Sequence, residues 1–529
     1  MVDKIINSKY DAIIIGTGIG GGTIGFSLAK KGKKILFIEK GLNNHKNKSS
    51  LKGNYAEVFF NNKSAINKDI LKKSGRYFEK IIDNTPKFPF VGSGTGGSSA
   101  LYGMAMERFF PLDFEKRESD LDDLINSNLP SDGWPFKYEE LLPYYIKAEK
   151  QYGVKGIGDE LRGEEIYGYT HPPEINNSNK NIFNYLRSKY FSPYVLPRAS
   201  NFNNDCIECQ GFLCPKNCKI DSYTACVEPA VKHYNAELIT DCSVEKIILK
   251  NEYATAVEVY CQNKLFQING KIIILAAGAI STPFILLKSR TYEHPNGISN
   301  KSGYVGKNLM RHLIDLYILN ANEKIPGAGF IKEIAMNDLY SHPNGKLGTL
   351  QSFGRLPDYS IIADTIILKI SEKLHLPRSL FQMTKPLLIP TLNYYFSNKI
   401  IMNSILEDLP YENNRITIDP ISGLPKIEYK LFSYEKKLID SSRNVIKNIL
   451  QEFGVRLIKQ AEDNKRLAHV CGTCRSGKDP KISVVNEDCR SHEIKNLYIT
   501  DSSIFPTSGS TNPALTIAAN ALRVSDKLY

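Results

Sequence analysis

Gly16, Gly18 and Gly21 form a G-x-G-x-x-G pattern, and Glu39 follows the last of them by 18 residues. In such a pattern the first glycine permits a tight turn and the second lets the backbone approach a pyrophosphate. The third lets a helix pack closely on a strand. The N-terminus of that helix contributes N–H donors and the positive end of its dipole. A carboxylate placed like that of Glu39 accepts hydrogen bonds from ribose hydroxyls and repels a 2′-phosphate. The chemistry is the holding of a dinucleotide, and these residues alone leave FAD and NAD both open.

Two further groups could react. Cys206, Cys209, Cys214 and Cys218 are spaced C-x2-C-x4-C-x3-C. Thiolates so placed suit an iron–sulfur cluster or a structural zinc, because soft ligands favour those metals. Unligated or disulfide-bonded thiols are the plainer reading and the preferred one. The chain also carries 9 histidines. A neutral imidazole is suited to taking a proton near neutral pH, but an arbitrary histidine is more often structural.

The elements that must position these residues are legible around the first group. The apolar run YDAIII (10–15) reads as a buried parallel strand. The glycine turn, a helical stretch TIGFSLAKKG and a second strand KKILFIEKG complete a βαβ unit. The Asn/Lys-rich segment 43–90 reads as a long loop or lid. β-like runs at 237–248 and 253–267 precede an apolar strand at 271–277, and residues 313–459 read as a mixed, less regular region. Within it, 414–432 predicts two strands joined by a Gly-Leu-Pro turn, and 436–454 a helix ending at glycine. The Tyr-rich LNYYF (392–396) reads as core filling, and a last helix spans about 512–528.

A chain of 529 residues exceeds what one core usually supports, which predicts two domains. An apolar share of 42% with 23% charged residues excludes a disordered or fibrous chain. The net charge of +12 is spread over scattered lysines, as on a solvated surface, and not drawn into a nucleic-acid footprint. Attraction to acidic lipids or anionic substrates stays open. No apolar signal region or membrane-spanning run is evident. With 10 cysteines and no secretory signal, no disulfide scaffold is expected and a cytoplasmic setting is the default, peripheral membrane association remaining open.

A second glycine-rich stretch, GSGTGGSSALYGMAMERF (92–109), lacks the strand–helix context of a Rossmann turn. Its small residues would suit a backbone lying against a flat ligand such as an isoalloxazine ring, or a flexible surface loop.

With this stretch the sequence resembles the glucose–methanol–choline (GMC) oxidoreductase family. The resemblance runs through GTGIGGGT with Glu39, GTGGSSALYGMAMER and DGWPFKYEELLPYYIKAE. It continues through IIILAAGAISTPFILLKS, VGKNLMRH and the C-terminal HVCGTCRSG…NLYITDSSIFPTSGSTNPALTIAANA. It implies an α/β fold: a Rossmann-type FAD-binding domain interleaved with an α+β substrate-binding domain on an antiparallel sheet. The expected division is 1–312 for FAD, with the insertion at 43–90, then 313–459 for substrate and 460–529 returning to the FAD domain.

The resemblance implies that Gly96, Gly97, Ser98, Val244, Ala277, Gly278 and Asp501 lie at FAD. Asn512, Pro513 and Thr516, opening the last helix, join them. Where some members carry a flavin-linking histidine this chain has Ala100 and Leu101, so FAD is expected to be non-covalent. His469 matches the family's base, and Asn512 its partner that orients the substrate hydroxyl. His312 reads as a structural hydrogen bond. The implied activity is hydride transfer from an alcohol, polyol or sugar carbon to flavin N5, with the electron acceptor unread. The last three cysteines of the cluster match the spacing of a cluster-binding stretch in some membrane-associated sugar dehydrogenases of the family. The alternatives are therefore an iron–sulfur flavoprotein serving a membrane or cytochrome acceptor, or an FAD-containing lyase.

Overall fold

An apolar strand needs cover on both faces, and Lys9–Ile15 obtains it at the centre of a seven-stranded sheet. The computed structural model describes residues 5–6, 8–59, 67–83, 91–116, 133–164, 167–203, 205–321, 331–462 and 467–529. In the sheet Lys9–Ile15 pairs in parallel with Ile35–Ile38 and with Lys264–Leu275, and Glu237–Ile239 extends it beyond Ile35–Ile38. The strand Lys264–Leu275 does two jobs. Its first half runs antiparallel to Tyr253–Cys261, and its apolar IIIL end is parallel to both Lys9–Ile15 and Leu497–Ile499. Cys242–Lys250 closes the meander, and Cys242 and Cys261, directly opposite each other, are joined by a disulfide. The helices Ile19–Lys30 and Ala514–Leu528 pack on each other, the second also on Tyr138–Gln151.

A second sheet has six strands, all antiparallel. They are Arg456–Lys459, Leu313–Asn320, Lys399–Leu406, Thr349–Ser352, Ile334–Met336 and Pro193–Val195. The amphipathic helices Ser433–Ile449 and Asn177–Ser188 bury Leu438, Ile439, Ile446, Ile182 and Leu186 against it. Residues 193–195 fall inside the expected 1–312 division yet pair with this sheet. Pro193 lacks an N–H and is tolerated because the strand lies at the edge. Arg415–Ile418 and Pro425–Glu428 form the expected hairpin, which Ile82–Asp83 joins in parallel. Downstream of Ser433–Ile449, a single 3₁₀ turn ends at Gly454, which adopts the left-handed conformation (φ 59°).

Between Thr349–Ser352 and Lys399–Leu406 the chain leaves the sheet as three helices, Tyr359–Leu374, Arg378–Gln382 and Lys385–Phe396. The last buries none of its residues, and Tyr394 is 81% exposed. The Tyr-rich stretch is therefore surface, not core: among the described residues no second layer packs over this helix.

Candidate active site

A cavity of about 430 Å³ has walls from both sheets. One end is built by the first glycine turn. Gly16 and Gly18 line it, and Gly21 sits behind, where a Cβ would meet the Gly16 carbonyl oxygen at 2.1 Å. Helix and strand approach that closely only with glycine between them. Gly18 is different. Its backbone is extended (φ −64°, ψ −175°), and a Cβ there would meet no protein atom within 4 Å. The space beside it belongs to the cavity. No side chain caps the helix that starts here, which leaves its first N–H groups and positive dipole end for an anion. These features fit a bound pyrophosphate.

Glu39 ends the second strand, 5% exposed, and lines the same cavity. One carboxylate oxygen accepts from Thr17 N (3.1 Å) and Thr17 Oγ1 (2.6 Å). The other accepts from Gly41 N (2.9 Å) and Gly94 N (3.0 Å). Val244, Ala277, Gly278, Asp501, Gly97 and Ser98 also face the cavity. Asp501 binds Gly278 N (2.8 Å) and Thr282 Oγ1 (2.6 Å), and burial raises its pKa.

Besides Gly21, two residues expected at the cofactor are not among the lining. Gly96 lies one position back, its Cβ direction facing Asp221. Thr516 bonds the Tyr145 hydroxyl at 2.8 Å. Asn512, Pro513, Ala514 and Ile517 line the cavity instead. At about 100° per residue, position 516 points off that face.

His469 and Asn512 stand in the same cavity. His312 Nε2 lies 2.8 Å from the Ser508 carbonyl oxygen, which can only accept, so Nε2 carries the proton. Burial holds His312 down to about 4, so the ring is neutral and its Nδ1 is an acceptor. His469 Nδ1, 2.8 Å away, must therefore donate to it. The bare lone pair of His469 is left on Nε2. Burial first, then the unfavourable electrostatics of placing a second cation beside His312 and near Lys332, push the His469 pKa well below its usual value. His469 holds this place with a left-handed backbone (φ 55°), uncommon for a side chain with a Cβ. His312, read as a structural hydrogen bond, thus makes that bond to His469 itself.

Polar lining residues that no motif pointed to include Lys332, Gln351 and Asn403, with Gln210 from within the cysteine cluster. Gln351 pairs directly across the sheet with Asn403, and its Nε2 donates to Asn512 Oδ1 at 3.1 Å. That leaves the Asn512 NH₂ as a donor. Among the described residues, Gln210 Oε1, Gln351 Oε1 and Asn403 Oδ1 are buried acceptors without a partner. The usable signal is the polar pair Asn403-Ser404 inside the otherwise apolar strand KIIMNSIL. Lys332 is 6% exposed, and burial lowers its pKa to about 8.

Cys206, Cys209, Cys214 and Cys218 are unbonded, and their thiols associate as the pairs Cys209/Cys214 and Cys206/Cys218. The Cys209 hydrogen bond draws Cys214 down to about 5, with backbone N–H groups assisting against burial. Among the described residues no group of three or more His, Cys, Asp or Glu side chains is placed to hold a metal.

The N-terminal GMC oxidoreductase family model matches residues 10–314 and the C-terminal one residues 410–521. A 2-methyl-1,2-propanediol dehydrogenase of Mycolicibacterium austroafricanum is 25% identical, covering 98% of this chain and 95% of its own. A paromamine 6′-oxidase of Streptomyces fradiae is 27% identical, covering 97% and 90%. Among solved structures, formate oxidase of Aspergillus oryzae superposes with a TM-score of 0.61 at 15% identity, covering 98% of each chain, and shows the shared fold. With both family models spanning well over half of the sequence, the chain belongs to the GMC oxidoreductase family, whose members bind FAD.

Proposed function

We propose that the protein oxidises a CH–OH group of a small alcohol, polyol or sugar, with non-covalent FAD as cofactor and His469 as general base. The observation that carries this reading is the buried His469 in the cavity that begins at the glycine turn, its Nδ1 engaged by His312 at 2.8 Å so that Nε2 is the nitrogen left for a substrate. The glycine turn and helix N-terminus would take the pyrophosphate, Glu39 and Val244 the adenosine end, and Gly97, Ser98, Ala277 and Gly278 the body of the cofactor. Bound FAD supplies the two-electron acceptor for the hydride at flavin N5.

His469 Nε2 takes the substrate hydroxyl proton. His312 fixes the ring tautomer that makes this nitrogen available. Asn512, held by Gln351, orients the same hydroxyl through its NH₂ group. Gln210, Gln351 and Asn403 offer acceptors to the other hydroxyls of a polyhydroxylated substrate. Alcohols, polyols and sugars are to be added anaerobically to purified yellow protein, with the flavin's visible absorbance followed. If none of them bleaches it, this reading fails.

Two variants probe the base's surroundings. His312→Phe removes the acceptor of the His469 Nδ1–H. One hydrogen bond of about 1–2 kcal/mol corresponds to roughly 5- to 30-fold slower flavin reduction. Stopped-flow measurement at saturating substrate checks it. Lys332→Met removes a positive charge that opposes protonation of His469. The base must be neutral, so activity is lost as pH falls through its pKa. Raising that pKa moves the acid limb of the rate profile to higher pH, and an unmoved limb would separate Lys332 from the base.

A further inference from the structure

The three helices between Thr349–Ser352 and Lys399–Leu406 expose apolar side chains on a scale seen nowhere else among the described residues. Of the 22 large hydrophobic residues left exposed, 9 lie between Leu368 and Tyr395. Leu380 is 60%, Met383 85%, Leu387 73% and Tyr394 81% exposed. The short turn Ala56–Phe59 touches the first of these helices and adds half-exposed Val58 and Phe59. Single exposed hydrophobic residues need no explanation, but a cluster of this size marks a surface with a partner.

The helices are held together from within. Asp364 pairs with Arg378 at 3.1 Å and Lys385 at 2.7 Å, and Tyr359 stacks on Phe396. The apolar residues therefore project from a fixed platform. Residues 359–399 carry five basic side chains, Lys369, Lys373, Arg378, Lys385 and Lys399, against Asp364 and Glu372. Protein–protein interface cores are depleted in lysine. Leucine, methionine and tyrosine with lysines at the margin are instead the composition of helices that lie in the headgroup region of an anionic bilayer. No helix among the described residues is long and apolar enough to cross a membrane, so these helices would lie on the bilayer and not span it.

We infer that this face docks on an anionic lipid surface through Leu380, Met383, Leu387 and Tyr394, with the surrounding lysines at the headgroups. The same chain segment connects this platform to the candidate active-site cavity. Phe353, Arg355 and Pro357 line that cavity and lead straight into the first helix.

The test is co-sedimentation of the full-length protein with vesicles of phosphatidylglycerol, beside vesicles of phosphatidylcholine and a sample without lipid. Expected is sedimentation with phosphatidylglycerol that high salt weakens, and an at least tenfold lower bound fraction for the Leu380→Glu, Met383→Glu, Leu387→Glu triple variant. These side chains are exposed, and an unchanged circular dichroism spectrum verifies folding. A Lys369→Glu, Lys373→Glu variant tests the charge separately and should lose binding without loss of fold. No lipid-dependent sedimentation, or sedimentation that neither variant reduces, would overturn the inference. So would light scattering that shows a dimer dissolved by the triple variant while vesicles bind neither protein. The readout is independent of catalysis, so it can fail while the proposed oxidation stands.

Discussion

His469→Ala is expected to slow anaerobic flavin reduction by roughly 10²–10⁴-fold, the range for losing a positioned general base. The protein should remain yellow, because the proposed role of the imidazole is toward the alcohol and the glycine cradle is left intact. The alanine also leaves His312 Nδ1 without its donor, but that nitrogen can accept from a water in the space vacated. Rapid-mixing absorbance with the best substrate from the alcohol screen gives the rate directly. A variant that reduces its flavin at the normal rate would move the base elsewhere. Added imidazole offers a second readout, since restoring a base should recover part of the rate, whereas a purely structural role for His469 would not respond.

Gly18→Val should give a folded protein that is colourless. The substitution separates ligand space from protein packing unusually well. Gly18 has an extended backbone open to any residue, and its Cβ would touch nothing in the protein within 4 Å. The valine methyls instead occupy the space through which the pyrophosphate must approach the helix N-terminus. Retained circular dichroism with no bound flavin after reconstitution is the expected result. A yellow Gly18→Val protein would place the phosphates elsewhere. The equivalent change at Gly21 is less informative, because its side chain would strike the Gly16 carbonyl and unfold the turn along with the site.

The parts of this site that the sequence makes legible are those whose chemistry is local. The βαβ unit follows from an apolar run, a glycine turn and a helical spacing that sit next to one another. The hairpin at 415–428 and the last helix follow for the same reason. What escaped depends on pairings between distant segments. Gln351 and Asn403 become cavity residues only because their strands align in that register. Lys332 becomes part of the environment of His469 only through its burial in the wall of the same cavity. The resemblance puts Thr516 at the cofactor with its neighbours, and the pitch of its helix turns it to Tyr145. Tyr394 and Tyr395 looked like core because they are aromatic, yet a residue is buried only if something covers it. The strand Pro193–Val195 crosses to the other sheet for a reason no local pattern records, since an edge position is defined by its neighbours.

The four hydrogen bonds of Glu39 tie together loops that are far apart in the chain. Through a single carboxylate, the turn at Thr17, the bend at Gly41 and the backbone at Gly94 become one clasp. A displacement of any one of them is felt by the other two at the shared carboxylate. Thr17 at one wall of the cavity and the stretch that precedes Gly97 and Ser98 at another therefore share one anchor.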